Sequence, residues 1–256
     1  MTSKKKQRAA KTRSPATDVV IVGGGVMGCA SAWLLAQRGL EVTVLERSVP
    51  GAEASSAAAG ILGVGAEEHA PGAMTELAHK SGALYPAFCR ELGRATGIDV
   101  EYRACGVLRV EFAAKALPRH GGAKKLSRKE LARLEPELSD KLVAGVRYPG
   151  DARVDPRRLL RALHIAAQGA GVQFKSGAYV RRVLVDGERA RGVALDDGHE
   201  ILARSVVVAA GSWTTLVEGI GLSPGRVVPA RGQIIELQAR RPLLSSVVFG
   251  PGAYLV

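Results

Sequence analysis

The sequence predicts an α/β fold in which a domain built on a β-α-β unit is interleaved with an α+β domain that carries an antiparallel sheet. Three observations lead to this prediction: a glycine-rich β-α-β pattern after residue 17, a helix and strand meander in the third quarter, and short strands and helices elsewhere. Their order along the chain favours two interleaved domains over two consecutive ones.

The β-α-β pattern reads DVVIVGGGVMGCASAWLLAQRGLEVTVLER, from Asp18 to Arg47. An apolar strand is followed by three glycines, an apolar helix and a second apolar strand that ends at Glu46. The glycines at dinucleotide-binding spacing are Gly23, Gly25 and Gly28. A GxGxxG run with its strand, helix, second strand and terminal acid all in place predicts a Rossmann-like dinucleotide-binding domain.

Each glycine of this pattern has a physical role. Gly23 allows the sharp turn from strand to helix, Gly25 lets a pyrophosphate approach the backbone, and Gly28 allows close helix–strand packing. The helix N-terminus, at Val26 and Met27, then directs backbone N–H groups and the positive end of its dipole at the phosphates.

Glu46 indicates which dinucleotide binds. It lies 18 residues after Gly28, at the end of the second strand, where a carboxylate accepts hydrogen bonds from ribose hydroxyls. A negative charge there disfavours a 2′-phosphate, so FAD or NAD fits the pattern better than NADP.

The charge is concentrated at the N-terminus. The net charge is +12, and residues 1–17 contribute +6 with no acid. Residues 1–16 are predicted to form a disordered basic tail. No aromatic residues separate the basic ones, so nucleic acid is not favoured as a partner. No apolar run after the tail resembles a signal peptide, and none reaches the length of about 18 residues that a membrane span requires.

The cysteines and histidines predict no metal site. The three cysteines, Cys29, Cys89 and Cys105, are scattered without a CxxC pair, and the five histidines form no i, i+4 pair. Cys29 is interpreted as a small packing residue of the first helix. This usage favours a reducing, cytoplasmic compartment.

Small residues dominate Ser48 to Gly65. Such a segment can run beside a flat cofactor or form a plain flexible loop. Ser55 and Ser56 then contact phosphate or flavin, or cap a short helix. The elements predicted next are a helix over Met74 to Gly93, a strand pair or extended run over Arg103 to Phe112, and a helix over Leu126 to Leu134 with a capping box at Ser127 and Glu130.

The second half of the chain begins with a helix over Asp155 to Gln168, which Asp155 caps and Pro156 opens. Four strands and a short helix opening at Ser212 and Trp213 follow. The strands are Val172 to Phe174, Ala178 to Val185, Arg191 to Leu195 and Ile201 to Ala209, with turns at Asp186-Gly187 and Asp197-Gly198. A longer strand is predicted over Arg226 to Leu237, and a turn and strand over Val247 to Val256.

Six blocks resemble the glycine oxidases of the D-amino acid oxidase family: SSAAAGILG, CGVLRV, VDPRRLLRAL, VVVAAGSW, VPARGQII and VVFGPGAYLV. The resemblance runs in register from Asp18 to Val256. It implies non-covalent FAD and O₂-dependent oxidation of glycine and other small primary or secondary amino acids. The products are an imine or 2-oxo acid, ammonia or amine, and H₂O₂, and the pathway is thiazole formation for thiamine. A sarcosine oxidase, a D-amino acid dehydrogenase-type flavoprotein and an inactive fragment remain alternatives, and a homo-oligomer is implied.

The resemblance also assigns residues and domains. The cofactor-binding residues it implies are Gly23, Gly25, Val26, Met27, Gly28, Glu46, Arg47, Ser55, Ser56, Ala58, Gly60, Val180, Ala210, Gly211 and Trp213. The domains are an FAD-binding segment at 17–85, an α+β substrate domain at 86–150, the return of the FAD-binding domain at 151–220, and the start of a substrate-domain sheet at 221–256.

On the substrate side, Tyr254 resembles a tyrosine near the substrate carboxylate, and Arg231 borders the site. The alternatives are an ordinary strand aromatic for Tyr254, a surface ion pair for Arg231 and a core position for Trp213. Gly252 stands where a histidine is frequent in the family, and Ile61 replaces a frequent methionine. The family continues about a hundred residues beyond Val256, including an arginine that clamps the substrate, so a fragment with weak activity of its own is expected.

Overall fold

The computed structural model describes residues 17–67, 72–113 and 123–256. The predicted basic tail, residues 1–16, lies outside them. The chain forms two compact units, each assembled from two stretches: Met1–Ala52 with Ala167–Ala230, and Glu53–Ala166 with Arg231–Val256. This division reflects spatial contacts and does not show which residues belong to a cofactor domain or a substrate domain. The domain ranges predicted from the sequence therefore stay predictions.

The first unit is built on a six-stranded sheet. Its elements are β1 (Thr17–Val22), α1 (Val26–Ala36), β2 (Val42–Glu46), β8 (Gln173–Ser176), β9 (Val180–Asp186), β10 (Arg189–Leu195), β11 (Glu200–Val208) and a 3₁₀ helix (Gly211–Leu216). The strand order is β8-β2-β1-β11-β10-β9. The first four strands are parallel, and β11, β10 and β9 form an antiparallel meander. The predicted β-α-β unit and meander are therefore confirmed.

Burial explains the position of the parallel strands. Val20, Ile21 and Val44 are fully buried, as expected for the continuous apolar runs of parallel sheets.

The ends of three strands meet at one edge, because Gly23 donates its N–H to the Leu45 carbonyl and Ala209 donates to the Val22 carbonyl, both at 2.8 Å. This edge is where open α/β sheets bind ligands.

The second unit is α+β and carries a five-stranded, mostly antiparallel sheet in the order β13-β12-β4-β6-β5. Only the β12–β4 pair is parallel. The elements of this part of the chain are α2 (Ala54–Ala57), β3 (Ile61–Leu62), α3 (Ala73–Thr96), β4 (Val107–Glu111), β5 (Lys124–Ser127), α4 (Arg128–Leu134), β6 (Ala144–Tyr148), β7 (Ala152–Arg153), α5 (Pro156–Gly169), β12 (Val247–Gly250) and β13 (Ala253–Leu255). The α/β class and the antiparallel sheet of the α+β part are confirmed.

The two faces of this sheet bury different residues. Leu108, Val110 and Val248 pack with Leu131 of α4. Val107, Val146, Tyr148 and Val247 form a second cluster together with Ala66. No helix in the described ranges is long and apolar enough to cross a membrane.

The predicted boundaries of α4 and β4 need correction. The predicted helix over Leu126 to Leu134 begins at Arg128, because Leu126 lies in β5 and its side chain is buried in the sheet core. The capping box itself is confirmed: Ser127 accepts the Glu130 N–H, and the Glu130 carboxylate accepts the Ser127 N–H. The Ser127 N–H and the Ser127 hydroxyl both donate to this carboxylate and lower the pKa of Glu130. The extended run predicted from Arg103 is a strand only over Val107–Glu111.

The predicted strand over Arg226 to Leu237 is also wrong, because this segment has no regular secondary structure. A strand needs a neighbour to which its backbone can bond, and none of the described strands pairs with it. Its apolar side chains remain in solvent, and Ile235 and Leu237 are each 81% exposed.

The cap of α5 yields a stability prediction. The Asp155 carboxylate accepts the Arg158 N–H at 2.9 Å, as the sequence predicts. We expect Asp155→Ala to lower the free energy of unfolding by about 0.5–2 kcal/mol, because it leaves that first-turn N–H without its acceptor. Asp155→Asn retains an acceptor and is the matched control. Urea unfolding followed by circular dichroism measures both, and equal midpoints for Ala and Asn would contradict the prediction.

Candidate dinucleotide-binding site

Two glycines of the first unit, Gly23 and Gly28, are required by steric contact. A Cβ on Gly28 would overlap the carbonyl oxygen of Gly23, and a Cβ on Gly23 would stand 2.5 Å from the Ala209 carbonyl oxygen. Gly23 also has a φ of +106°, a backbone conformation that side chains disfavour. The turn from β1 into α1 therefore passes against β11 with no room for a side chain.

The N-terminus of α1 is suited to an anion. Gly25 is its N-cap and supplies no side-chain cap, and the first turn contains no acidic residue. Backbone N–H groups at such a terminus bind phosphate oxygens. Met27 is 69% exposed at this end of the helix. An anionic pyrophosphate fits this arrangement of Gly25, Val26 and Met27.

Glu46 is anchored to the glycine loop. It is buried, and its two carboxylate oxygens accept the N–H groups of Gly24 at 2.8 Å and Ser48 at 2.9 Å. A carboxylate has about four acceptor positions, so capacity for ribose hydroxyls remains. Glu46 thus holds the loop from the β2 side, while its predicted ribose contact stays a prediction.

Cys29 holds the same loop from the helix side. Its fully buried thiol donates to the Gly24 carbonyl, with Sγ and O 3.3 Å apart. Burial, followed by the nearby Glu46 charge, raises the pKa of Cys29 to about 12. The thiol therefore stays protonated at neutral pH and remains a donor. Gly24 is bonded on both sides, through its N–H by Glu46 and through its carbonyl by Cys29.

Arg47 and Trp213 form a second feature of this unit. The Arg47 guanidinium carbon lies 4.3 Å from the centre of the Trp213 ring, within cation–π distance. Trp213 is 38% exposed in the 3₁₀ helix, so its interpretation as a core residue is wrong. The structure brings together two residues that are 166 positions apart and that the resemblance assigned to the cofactor.

The remaining predicted residues of this unit are backbone positions. Val180 opens β9, and its side chain packs in the core with Val22 and Leu45. Gly211 begins the 3₁₀ helix and Ala210 is its N-cap, two residues after the end of β11. Their contacts with a cofactor stay predictions.

The predicted cofactor residues of the second unit lie close together. Ser55 and Ser56 are inside α2, whose N-cap is Glu53, so their interpretation as a helix cap is wrong; Ser56 donates back to the Glu53 carbonyl. Ala58 follows in an extended conformation. Gly60 has a φ of +76°, and a Cβ there would overlap the Val154 carbonyl oxygen.

The two predicted substrate residues belong to the second unit as well. Tyr254 lies on β13 with 43% exposure, and its ring centre is 5.7 Å from that of Phe249. Arg231 is exposed in the irregular segment after residue 226. The structure gives neither residue a contact that distinguishes a substrate role, so both roles stay predictions.

Sequence reasoning missed two features of this loop. They are the bonding of Gly24 and the role of Cys29 as a hydrogen-bond donor. The position of Cys29 directly after Gly28 is the available signal, because that helical residue faces back toward the preceding turn. The bonding partner in each case became evident only from the folded loop.

Comparison with known proteins places this geometry in a family. Residues 18–256 match the family model of the FAD dependent oxidoreductases. The bifunctional protein ThiO/ThiG of Synechocystis sp. is 36% identical over 251 residues, which are 94% of this chain and 37% of that protein. Glycine oxidase of Geobacillus kaustophilus is 36% identical over 254 residues, or 93% and 66% of the two chains.

Solved structures agree. The glycine oxidase structures from Geobacillus kaustophilus and Bacillus cereus each share 29% identity, with TM-scores of 0.81 and 0.82. They cover 95% and 93% of this chain, and 68% and 69% of their own chains are matched. The chain thus spans about two thirds of the glycine oxidases and little more than a third of the bifunctional relative. Because the family model matches residues 18–256, the chain belongs to the FAD dependent oxidoreductase family.

Proposed function

We propose that this protein is an FAD-dependent oxidase of glycine and other small primary or secondary amino acids. The observation that carries the proposal is the turn from β1 into α1, which leaves no room for a side chain at Gly23 or Gly28 and is fixed at Gly24 by Glu46 and Cys29. The glycine oxidase names of the relatives support the substrate class.

Three features of the first unit have proposed tasks. The N-terminus of α1 binds the pyrophosphate, Glu46 accepts ribose hydroxyls, and the Arg47–Trp213 pair borders the adenosine side. FAD, when bound, supplies the hydride acceptor for amine oxidation. The protein then needs to bind and orient its substrate and to exclude water from around it. None of these tasks requires a general base of unusual pKa.

The products proposed are an imine or 2-oxo acid, ammonia or amine, and H₂O₂, and the imine of glycine feeds thiazole formation. The compartment proposed is the cytoplasm, since the scattered cysteines suit a reducing environment. We further propose a homo-oligomer, which light scattering of the purified protein tests.

The experiment uses the purified 256-residue chain loaded with FAD. We expect the visible absorption bands of bound flavin, followed by their bleaching without oxygen when glycine or sarcosine is added. Single-turnover bleaching detects chemistry that is too slow for a turnover assay. Methylamine, which lacks the carboxylate, is the control and should bleach the flavin far less. A colourless chain would contradict the cofactor assignment, and bound flavin that no amino acid reduces would contradict the substrate assignment.

A further inference from the structure

Arg109 is a half-buried cation on β4 that no proposed step of the reaction uses. The central strand β12 pairs with both β4 and β13, and the register places Phe249 opposite Arg109 on one side and Tyr254 on the other. Residues that face each other across paired strands point to the same face of a sheet. Arg109, Phe249 and Tyr254 therefore lie side by side on one face of the second unit.

The three side chains are neighbours in space. The Arg109 guanidinium carbon lies over the Phe249 ring, 5.9 Å from its centre, which is within cation–π distance. The ring centres of Phe249 and Tyr254 are 5.7 Å apart. Phe249 thus stands between a cation and a phenol.

One end of this sheet face is closed. Val107 and Val247 are fully buried there and pack with Ala66. The Asp151 carboxylate holds this cover in place, because it accepts the N–H groups of Gly65 and Ala66, each at 2.8 Å. The apolar end of the face is therefore filled by the chain itself.

The other end of the same face is open. Arg109 lies two residues further along β4 than the buried Val107, and it is half-buried, as is Phe249 on β12. Tyr254 keeps 43% of its surface exposed. A small molecule can therefore reach these three side chains from the solvent.

The charge of Arg109 lacks a carboxylate. In the part of the chain that the structure describes, its guanidinium has no hydrogen-bond or ion-pair partner, although Glu111 lies on the same face of β4. Arg158 and Arg241 of the same unit are ion-paired, with N–O distances of 3.1 and 2.6 Å. A half-buried cation loses part of its hydration, so an anion that pairs with it offsets that loss. The planar fork of a guanidinium matches a carboxylate, which is the anion this position selects.

We propose that Arg109, with Phe249 and Tyr254 beside it, forms a binding site for the carboxylate of the amino acid substrate. The inference rests on the proposed function, which supplies the class of substrate. Arg109 donates its N–H groups to the carboxylate, and the Phe249 ring supports the guanidinium. Neighbouring strands lie about 4.8 Å apart, so about 10 Å separates β4 from β13. A glycine-sized molecule fits that span, with its other end over Phe249 toward Tyr254.

Arg90 provides the matched control. It lies on α3 of the same unit and is exposed. Arg90→Gln and Arg109→Gln remove the same charge, but only Arg109 stands beside Phe249 and Tyr254. Arg109→Lys keeps the charge and loses the planar fork, so it separates net charge from carboxylate geometry.

The experiment titrates the 256-residue chain without FAD with acetate, glycine or methylamine, and follows the Arg109 Nε–Hε and Tyr254 ring signals by NMR. We expect saturable shifts with acetate and glycine and none with methylamine, which lacks the carboxylate. Arg109→Gln, followed on Tyr254, should weaken carboxylate binding by about tenfold or more, Arg109→Lys by less, and Arg90→Gln not at all. Wild-type affinity in Arg109→Gln, or equal losses in Arg109→Gln and Arg90→Gln, would overturn the proposal.

A second measurement needs no variant and applies if Arg109→Gln fails to fold. Phenylglyoxal modifies accessible arginines, and mass spectrometry of the peptides locates them. We expect glycine and acetate to protect Arg109 and not Arg90, and methylamine to protect neither. Equal modification of Arg109 with and without the carboxylates would overturn the proposal. Because these measurements omit FAD, glycine that binds at Arg109 but never bleaches bound flavin would refute the proposed function and leave the carboxylate site standing.

Discussion

Replacement of Gly28 by alanine is expected to abolish retention of FAD through purification and to lower the free energy of unfolding by about 1–3 kcal/mol. The alanine Cβ would overlap the Gly23 carbonyl oxygen, which is a backbone atom that cannot rotate away. Either α1 moves off β1 or the turn at Gly23 reshapes, and both displace the N–H groups that are proposed to bind the phosphates. FAD titration by fluorescence and urea unfolding measure the two effects.

Gly169 provides the control for this substitution. It is the last residue of α5, and a Cβ there meets nothing within 4 Å. Gly169→Ala should leave FAD affinity unchanged and stabilise the chain slightly, by about 0.4–1 kcal/mol, because it restricts the unfolded chain. FAD binding by Gly28→Ala at the level of Gly169→Ala would refute the steric role of Gly28.

Substitution of Glu46 by glutamine is expected to weaken FAD binding by about 5- to 150-fold, equivalent to about 1–3 kcal/mol. The carboxylate accepts one backbone N–H on each oxygen, from Gly24 and Ser48. Glutamine retains one acceptor and directs an N–H₂ group at the other donor, so one buried N–H loses its partner. Glu46→Ala removes both acceptors and should bind FAD more weakly still.

Substitution of Glu41 serves as the comparison, because Glu41→Gln removes the same charge from the same unit at an exposed position. Glu41→Gln should bind FAD like the wild type. Isothermal titration of the apo proteins with FAD gives the affinities. Equal affinities for Glu46→Gln and Glu41→Gln would show that Glu46 contributes only net charge.

The local elements were predictable because their signals are contained within a few residues. The β1-α1-β2 unit follows from apolar runs interrupted by glycines, and the α5 cap follows from Asp155 before Pro156. The same reasoning failed for residues 226–237, where a strand-like pattern has no described strand to pair with. It also placed Leu126 in a helix, because Leu126 stands directly before the Ser127 cap and its pairing in β5 depends on the separate strand β6.

The candidate site also has features that the sequence predicted and contacts that only the folded structure shows. The sequence by itself determined the glycine loop, the acid at Glu46 and the class of ligand, because these depend on spacing along one β-α-β unit. Only the tertiary structure decided that Glu46 and Cys29 both hold Gly24, that Arg47 stacks on Trp213, and that Asp151 holds residues 65–66. The Arg47–Trp213 contact and the two bonds of Asp151 join residues more than 80 positions apart. The folded sheets bring such residues together, and no local pattern of the sequence encodes that proximity.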